Sequence, residues 1–565
     1  MFAPPPPRTE AGFRLGWLCR LVAVLMLATG CAGLPANVQR ATSHAFDAPQ
    51  DTPLGRLVQS RRAQAGARAP SGFTLLDSVD SAFTSRLALI EGAQRSLDLQ
   101  YYAIHADAST AALLERLLAA ARRGVRVRIL LDDFNTVGED AQVLRLAFEP
   151  GIEVRLFNPL PGPRGSLLGR VLGSLHDVER MQKRMHNKLF IADNAWGITG
   201  GRNLGDAYFG SDDKSNFVDL DVLAAGPIVQ RMSASFDRYW NDPLAYPVQA
   251  LLDGRELNRL REQAPAADAV SRPADGVRPV SAASASTVLP NVTATAAASA
   301  QRPPMDLRRV PITWAPAVLL VDKPDKIGPG DDEVNAGETV IDGLLHLMLQ
   351  ARSELLIVSP YFVPGADMMK AFADLRRRGV AVRVLTNSLA SNDAPATHAG
   401  YRRYRRDLLA MGVELYEMRA DPASAGLDGS GVGSRASSGQ GAINLGSGPG
   451  GSKSGSSRAS LHSKAVIIDR QLSVIGSMNL DLRSQLKNSE VALLIRSRKL
   501  AQDAAALLEG SLARGAYRLE LAGNGLRWRA PPGASFRDAD SEPEAPLKLR
   551  LLVNLLAPFA PDEML

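Results

Sequence analysis

One spacing occurs twice in this chain and limits what it can fold into. His186-Asn187-Lys188 is followed by Asp193 and by Gly200-Gly201-Arg202-Asn203; His462-Ser463-Lys464 is followed by Asp469 and by Gly476-Ser477-Met478-Asn479. The pattern HxKx4Dx6G(G/S)xN is kept to the residue. With Lys and Asp each about 5% of residues, one histidine meets it by chance on the order of once in a million times. Two of the seven histidines meet it here. Such a chain is expected to fold as two related units.

The flanks carry the same duplication. Leu355 to Tyr361 answers Leu97 to Tyr102, and a helix with Met368, Met369, Phe372 and Leu375 answers one with Leu113, Leu114, Leu117 and Leu118. Arg377-Arg378-Gly379-Val380 echoes Arg122-Arg123-Gly124-Val125, and Gly412-Val413-Glu414-Leu415 echoes Gly151-Ile152-Glu153-Val154. Both series end at an HxK stretch. Strands alternating with helices of this length predict an α/β architecture with a mainly parallel sheet in each unit.

The chain divides accordingly. Residues 1–31 read as a signal segment: arginines, the apolar run Leu21 to Ala28, then Leu27-Ala28-Thr29-Gly30-Cys31, which looks like a bacterial lipobox whose cysteine is lipidated. Cys19 and Cys31 are the two cysteines, so the body offers no thiol for a disulfide or a redox motif. Residues 32–71 read as a flexible segment, 72–261 as the first unit, 262–305 as a low-complexity linker, 306–520 as the second unit and 521–565 as a tail. A Gly/Ser-rich insertion, 421–460, interrupts the second unit. The apolar chain end is too short and too broken by proline to span a bilayer, which leaves packing on the body or membrane contact. At 45% apolar and 22% charged residues the chain is globular, and its net charge of +6 favours an anionic partner without choosing between phospholipid and nucleic acid.

The motif itself specifies chemistry. The apolar runs Leu189 to Ala192 and Ala465 to Ile468 read as buried strands, and alternation along a strand puts the imidazole and ammonium of HxK on one face. Gly200-Gly201 and Gly476-Ser477 begin turns where backbone can approach a ligand; Asn203 and Asn479 offer amide donors. Lysine, asparagine and backbone N–H around one point make a receptacle for phosphate oxygens. Two such histidines at one site permit a double displacement, one imidazole attacking phosphorus and the other donating to the leaving alkoxide. Asp193 and Asp469, as strand-end acids, are expected to pin a loop more than to touch phosphate.

These paired motifs, together with Leu99-Gln100-Tyr101-Tyr102, Asp219-Leu220-Asp221-Val222, Tyr361-Phe362-Val363-Pro364 and His398-Ala399-Gly400-Tyr401, resemble the phospholipase D superfamily in its bacterial cardiolipin synthase branch. The resemblance implies two homologous α/β domains about a pseudo-two-fold axis, the site between them, and no metal or cofactor. It counts His186, Lys188, Asp193, His462, Lys464 and Asp469 as the catalytic set, with His186 the nucleophile and His462 the general acid/base. Gly200, Gly201, Asn203, Gly476, Ser477 and Asn479 support the phosphate. Glu490 sits where a histidine-orienting carboxylate is expected, and Asp221 is its nearest counterpart in the first half. Gly201 in place of a serine leaves that half-site one hydroxyl short. His398 and the arginines after it are a candidate for a second lipid phosphate or a solvated helix face, and His105, which follows the first strand, for lining the cleft or for a loop histidine with no role.

The implied function is a membrane-associated phosphatidyltransferase making cardiolipin from phospholipids. The alternatives are hydrolysis to phosphatidic acid, a nuclease, or a non-enzymatic lipid-binding protein. The expected partners are phospholipids and a membrane reached through a lipid anchor, with no nucleic acid, one chain sufficing, in the bacterial envelope facing the periplasm.

Overall fold

The computed structural model describes residues 34–35, 37–136, 138–161, 177–210, 212, 215–252, 254–256, 258, 302–327, 339–421, 458–557 and 561–562. Residues 1–33 with Cys31, read as the signal segment and lipidation site, residues 262–301 of the expected linker and 422–457 of the expected insertion lie outside them.

Each half builds a nine-stranded sheet. The first runs Ala245–Pro247, Ile152–Phe157, Arg126–Asp132, Ser96–Tyr101, Leu189–Ala192, Trp196–Gly200, Asp221–Ala225, Ser71–Leu76, Thr313–Ala315. The second runs Ala317–Val321, Val491–Arg496, Leu472–Gly476, Ala465–Ile468, Glu354–Val358, Ala381–Asn387, Glu414–Met418, Ala516–Ala522, Gly525–Arg529. The parallel pairing expected from strand–helix alternation is confined to one trio per sheet: Ser96–Tyr101, Arg126–Asp132 and Ile152–Phe157, and their counterparts Glu354–Val358, Ala381–Asn387 and Glu414–Met418. The other ladders are antiparallel, because the HxK strand returns through a tight hairpin and not a helical crossover.

The helices in the trios form where their leucines and methionines recur at helical spacing. Ala108–Arg122 is capped by the Asp107 carboxylate on the Thr110 N–H and buries Leu113, Leu114, Leu117 and Leu118. It stops before Gly124, whose φ of +90° a side chain would resist; Gly379, at +83°, ends Gly365–Arg377 in the same way.

Three segments depart from the expected division. Residues 32–71, read as flexible, contain the helix Pro53–Gln64 and the start of the strand Ser71–Leu76. Their polar backbone serves the body: Ser43 O accepts from Arg128, Ala41 O from Arg155 and Leu54 O from the Trp196 indole. Thr313–Ala315, beyond the 306 boundary, extends the first sheet by pairing with Ser71–Phe73. In 521–565, Gly525–Arg529 closes the second sheet and the helix Leu547–Leu556 sits on the helix Pro395–Ala410.

Apolar residues of both halves share one core. Phe73, Leu130, Leu189, Val222 and Phe236 from the first half pack with Leu356, Leu385, Ile467, Val491 and Leu508 from the second. Two short parallel ladders also join the halves, Arg184–Met185 with Asn488–Ser489 and Ser215–Val218 with Arg458–Leu461. Among the described residues no helix is long and apolar enough to cross a membrane.

Candidate active site

The two cross-half ladders place the histidines. Met185 lies opposite Ser489 and Leu461 opposite Val218, so the next residues, His186 with Glu490 and His462 with Asp219, come side by side. The backbone closes each pair: His186 N–H donates to Ser489 O at 2.9 Å and His462 N–H to Val218 O at 2.9 Å. The side chains then meet. His186 Nδ1 is 3.0 Å from Glu490 Oε2, and His462 Nδ1 is 2.6 Å from Asp219 Oδ2. Each half therefore orients the histidine of the other, and Nδ1–H to carboxylate leaves Nε2 as the unprotonated nitrogen of a neutral ring.

The middle residue of each HxK also ties the halves together. Asn187 accepts from Ser489 Oγ at 2.7 Å, and Ser463 Oγ donates to Val218 O at 3.0 Å. The residue before each histidine is held by the end of the neighbouring trio strand. Asp132 Oδ2 accepts the Met185 N–H at 2.8 Å; Asn387 Oδ1 accepts the Leu461 N–H at 2.9 Å, and its amide donates to Leu461 O.

Electrostatics set the resting protonation. Burial, then the Lys188 and Lys464 charges, push the His186 pKa down to about 4 against the pull of Glu490. Burial and the same two lysines push His462 down to about 3 against Asp219. Each histidine thus feels the lysine of the opposite half, which puts both motifs in one field. Burial lowers Lys188 to about 7 and lowers Lys464 as well, while Glu490 and Asp219 raise both. Burial opposes ionisation of Asp219 and Glu490, but the facing imidazole and the lysines outweigh it and hold both carboxylates below their usual range. The free site carries two carboxylates around neutral imidazoles, with Lys188 titrating at about 7, and an arriving anion would favour the protonated lysines and restore a proton to one imidazole.

Lys188 and Lys464 each donate to the carbonyl of their own motif histidine, at 2.8 and 2.7 Å, which aims the ammonium and leaves donors for an anion. Asn203 bridges the Ala103 N–H and the Tyr208 hydroxyl; Asn479 Oδ1 is buried and meets no donor among the described residues. Ser477 Oγ and Ser484 Oγ donate to Glu490. The missing hydroxyl at Gly201 has a steric cause: a Cβ there would lie 2.2 Å from Asp219 Oδ1. The shorter acid occupies the space that Ser477 fills in the other half. Gly200 and Gly476 are equally constrained, since a Cβ would strike Asp221 or Val491 O at 2.2 Å.

Asp221 is corrected as the histidine-orienting acid. It pairs with Arg86 at 3.0 Å and Arg202 at 3.4 Å, both buried. Sheet register explains the difference: Gly200 faces Asp221 and Gly476 faces Ala492, so Asp219, not Asp221, corresponds to Glu490. A two-residue slip keeps every side chain on its face, so alternation alone does not reveal it. Asp193 and Asp469 also stand apart from the histidines. At the far end of the strand, about 16 Å beyond the lysine at ~3.3 Å per residue, Asp193 accepts the N–H groups of Gln94, Arg95 and Ser96. Asp469 does the same for Arg352, Ser353 and Glu354.

His398 is fully buried, 2.8 Å from Arg405, which is paired with Glu417 and Glu542; that arginine is committed to the fold and not to a second phosphate. His105 bonds Asp140 and stacks on Tyr208, whose ring edge meets His462. Sequence reasoning missed Asp219, Asp132 and Asn387 as positioning groups, and Tyr102 and Phe217, which wall His186 and His462. Glu490 and Asp219 each come one residue after a segment that crosses between halves, a signal that appears only once the pairing of those segments is known.

Comparison with known proteins gives the family. The family model described as "Cardiolipin synthase, PLD-like domain" matches residues 87–240, 344–432 and 435–511. The chain is 38% identical over 435 residues to cardiolipin synthase C of Escherichia coli, covering 76% of this chain and 82% of that one. It is 31% identical to an uncharacterized protein of Helicobacter pylori over 93% of this chain and 95% of that one. Its fold is similar to that of a phosphatidylserine synthase of Haemophilus influenzae, with a TM-score of 0.53 at 14% identity over 90% of this chain and 99% of that one.

Proposed function

From a chain that belongs to the phospholipase D superfamily, in its cardiolipin synthase branch, we propose a phosphatidyltransferase that makes cardiolipin, its reaction run by His186 and His462 as one pair. The crossed dyads carry this reading: each imidazole has a carboxylate on Nδ1 and a neighbouring ammonium.

Phosphate oxygens bind Lys188, Lys464, Asn203 and Asn479. His186 Nε2 attacks phosphorus; a P–N bond forms as the P–O bond to the headgroup breaks. The headgroup oxygen takes its proton from His462, which the phosphodiester anion has allowed to protonate. Glu490 stabilises the charge that develops on His186. In the second half-reaction an acceptor hydroxyl gives its proton to His462 and attacks phosphorus, and the P–N bond breaks to return neutral His186. With phosphatidylglycerol as acceptor the product is cardiolipin; with water it is phosphatidic acid, the runner-up reaction of the same intermediate. One chain holds both half-sites, and neither a nucleic acid nor a cofactor enters the scheme. Lipidation at Cys31 would hold the enzyme on the periplasmic face of an envelope membrane, and a Cys31→Ser protein of unchanged mature mass that still partitions with membranes would count against it.

The test is product mass spectrometry after incubation with phosphatidylglycerol, with and without phosphatidylethanolamine. Cardiolipin supports the synthase, phosphatidic acid alone the hydrolase, and no lipid product sinks both. His186→Ala and His462→Ala are each expected to abolish turnover in a folded protein; full activity in either ends the mechanism.

A further inference from the structure

We infer that the helix Leu547–Leu556 is a docking surface for an anionic phospholipid bilayer, set so that the active-site end of the second sheet faces the lipid. The helix is one-sided. Val553 is fully buried and Leu549 and Leu556 pack beside it, whereas Leu547, Leu551 and Leu555 are 70%, 58% and 67% exposed. These are the three most exposed large apolar side chains among the described residues, and their i, i+4, i+8 spacing aligns them in one stripe. Isolated exposed leucines are ordinary; an aligned row on a tied-down helix calls for an apolar neighbour.

The helix is held firmly. Arg402 donates to Asn554 Oδ1 at 2.7 Å and Arg403 to Ala557 O at 3.1 Å, both from the helix Pro395–Ala410. Val553 packs in one cluster with Leu389, Ala390 and Ala399. Leu389 is two residues past Asn387, whose side chain clamps Leu461 beside His462. The stripe therefore belongs to the end of the sheet where the chemistry is set.

Charge selects the occupant. The helix carries Lys548, exposed beside Leu547 and Leu551, and Arg550, whose guanidinium turns back onto Ala545 O and Glu542 O, but no acid. Two copies packed stripe to stripe would bring these cations together, whereas an anionic bilayer accepts the leucines and lets Lys548 reach the headgroups. That the bilayer also supplies the substrate rests on the phosphatidyltransferase reading; the docking itself does not.

The experiment uses full-length Leu551→Trp protein with vesicles of brominated phosphatidylglycerol, the wild-type tryptophan signal subtracted. The added emission is expected to shift blue and be quenched, and to respond much less to brominated phosphatidylcholine. A parallel variant, Leu547→Ser/Leu551→Ser/Leu555→Ser, is expected to lose about tenfold in turnover on vesicles while keeping its rate on dispersed short-chain phosphatidylglycerol. An added tryptophan indifferent to anionic vesicles overturns the proposal, as does equal quenching in phosphatidylcholine. A lipid-free dimer by light scattering that the triple variant abolishes assigns the stripe to a second copy and overturns it too. Should the protein yield no lipid product, the quenching result stands by itself, so the two readings fail separately.

Discussion

Asp219 and Asp221 are two residues apart, and the structure gives them different partners, His462 for the first and the buried Arg86 and Arg202 for the second. Asp219→Asn would leave His462 without its anion and in the wrong tautomer, so kcat is expected to fall on the order of 10²–10⁴-fold with little change in thermal stability. Asp221→Asn would strand Arg86 and Arg202, buried with that carboxylate, and is expected to cost about 3–5 kcal/mol in denaturant unfolding. If Asp221→Asn lost activity while folding normally and Asp219→Asn proved the unstable one, the register would be wrong. Lys188 supplies a pH test. Burial lowers its pKa to about 7, so above that pH the free site holds a neutral amine that must take up a proton when an anion binds. Affinity for a dialkyl phosphate, a monoanion throughout, should then fall with rising pH, approaching about tenfold per unit. Calorimetry between pH 6 and 9 checks this; a flat profile in wild type, or an unchanged slope in Lys188→Met, would remove lysine protonation from anion binding. The lysines and histidines were legible because their spacing is local, and Glu490 through the family resemblance; Asp219 was not, because choosing it over Asp221 depends on register between strands.

At the scale of elements, the site depends on short strands that reach across the interface. Arg184–Met185 and Arg458–Leu461 pair with the opposite half, and Asp132 and Asn387 fasten the residue before each histidine. Asp132→Ala and Asn387→Ala should loosen those histidines without touching substrate. Each is expected to lower kcat about 10–100-fold while KM changes little; wild-type kcat in either would show that the ladders hold the histidines unaided. The trios and their helices could be read from periodicity, since apolar spacing reports which face is buried. The hairpin returns, the ordered segment before Ser71 and the closing strand Gly525–Arg529 could not, because their stability comes from distant partners and not from their own pattern.

For the whole molecule, the duplicated halves behave as one body. Their shared core and the Thr313–Ala315 strand, which completes the first sheet from beyond the linker, leave neither half a closed apolar surface. Residues 1–261 expressed alone are expected to aggregate or bind a hydrophobic dye, and to be inactive; a soluble, cooperatively unfolding fragment would refute this. The sequence by itself determined that two HxK motifs exist, what groups they present and that the chain repeats, since each follows from residues within a few positions of one another. Only the tertiary structure decided that each half orients the other's histidine. The partners, Asp219 with His462 and Glu490 with His186, are 243 and 304 residues apart, and a contact at that separation exists only once the two sheets have packed.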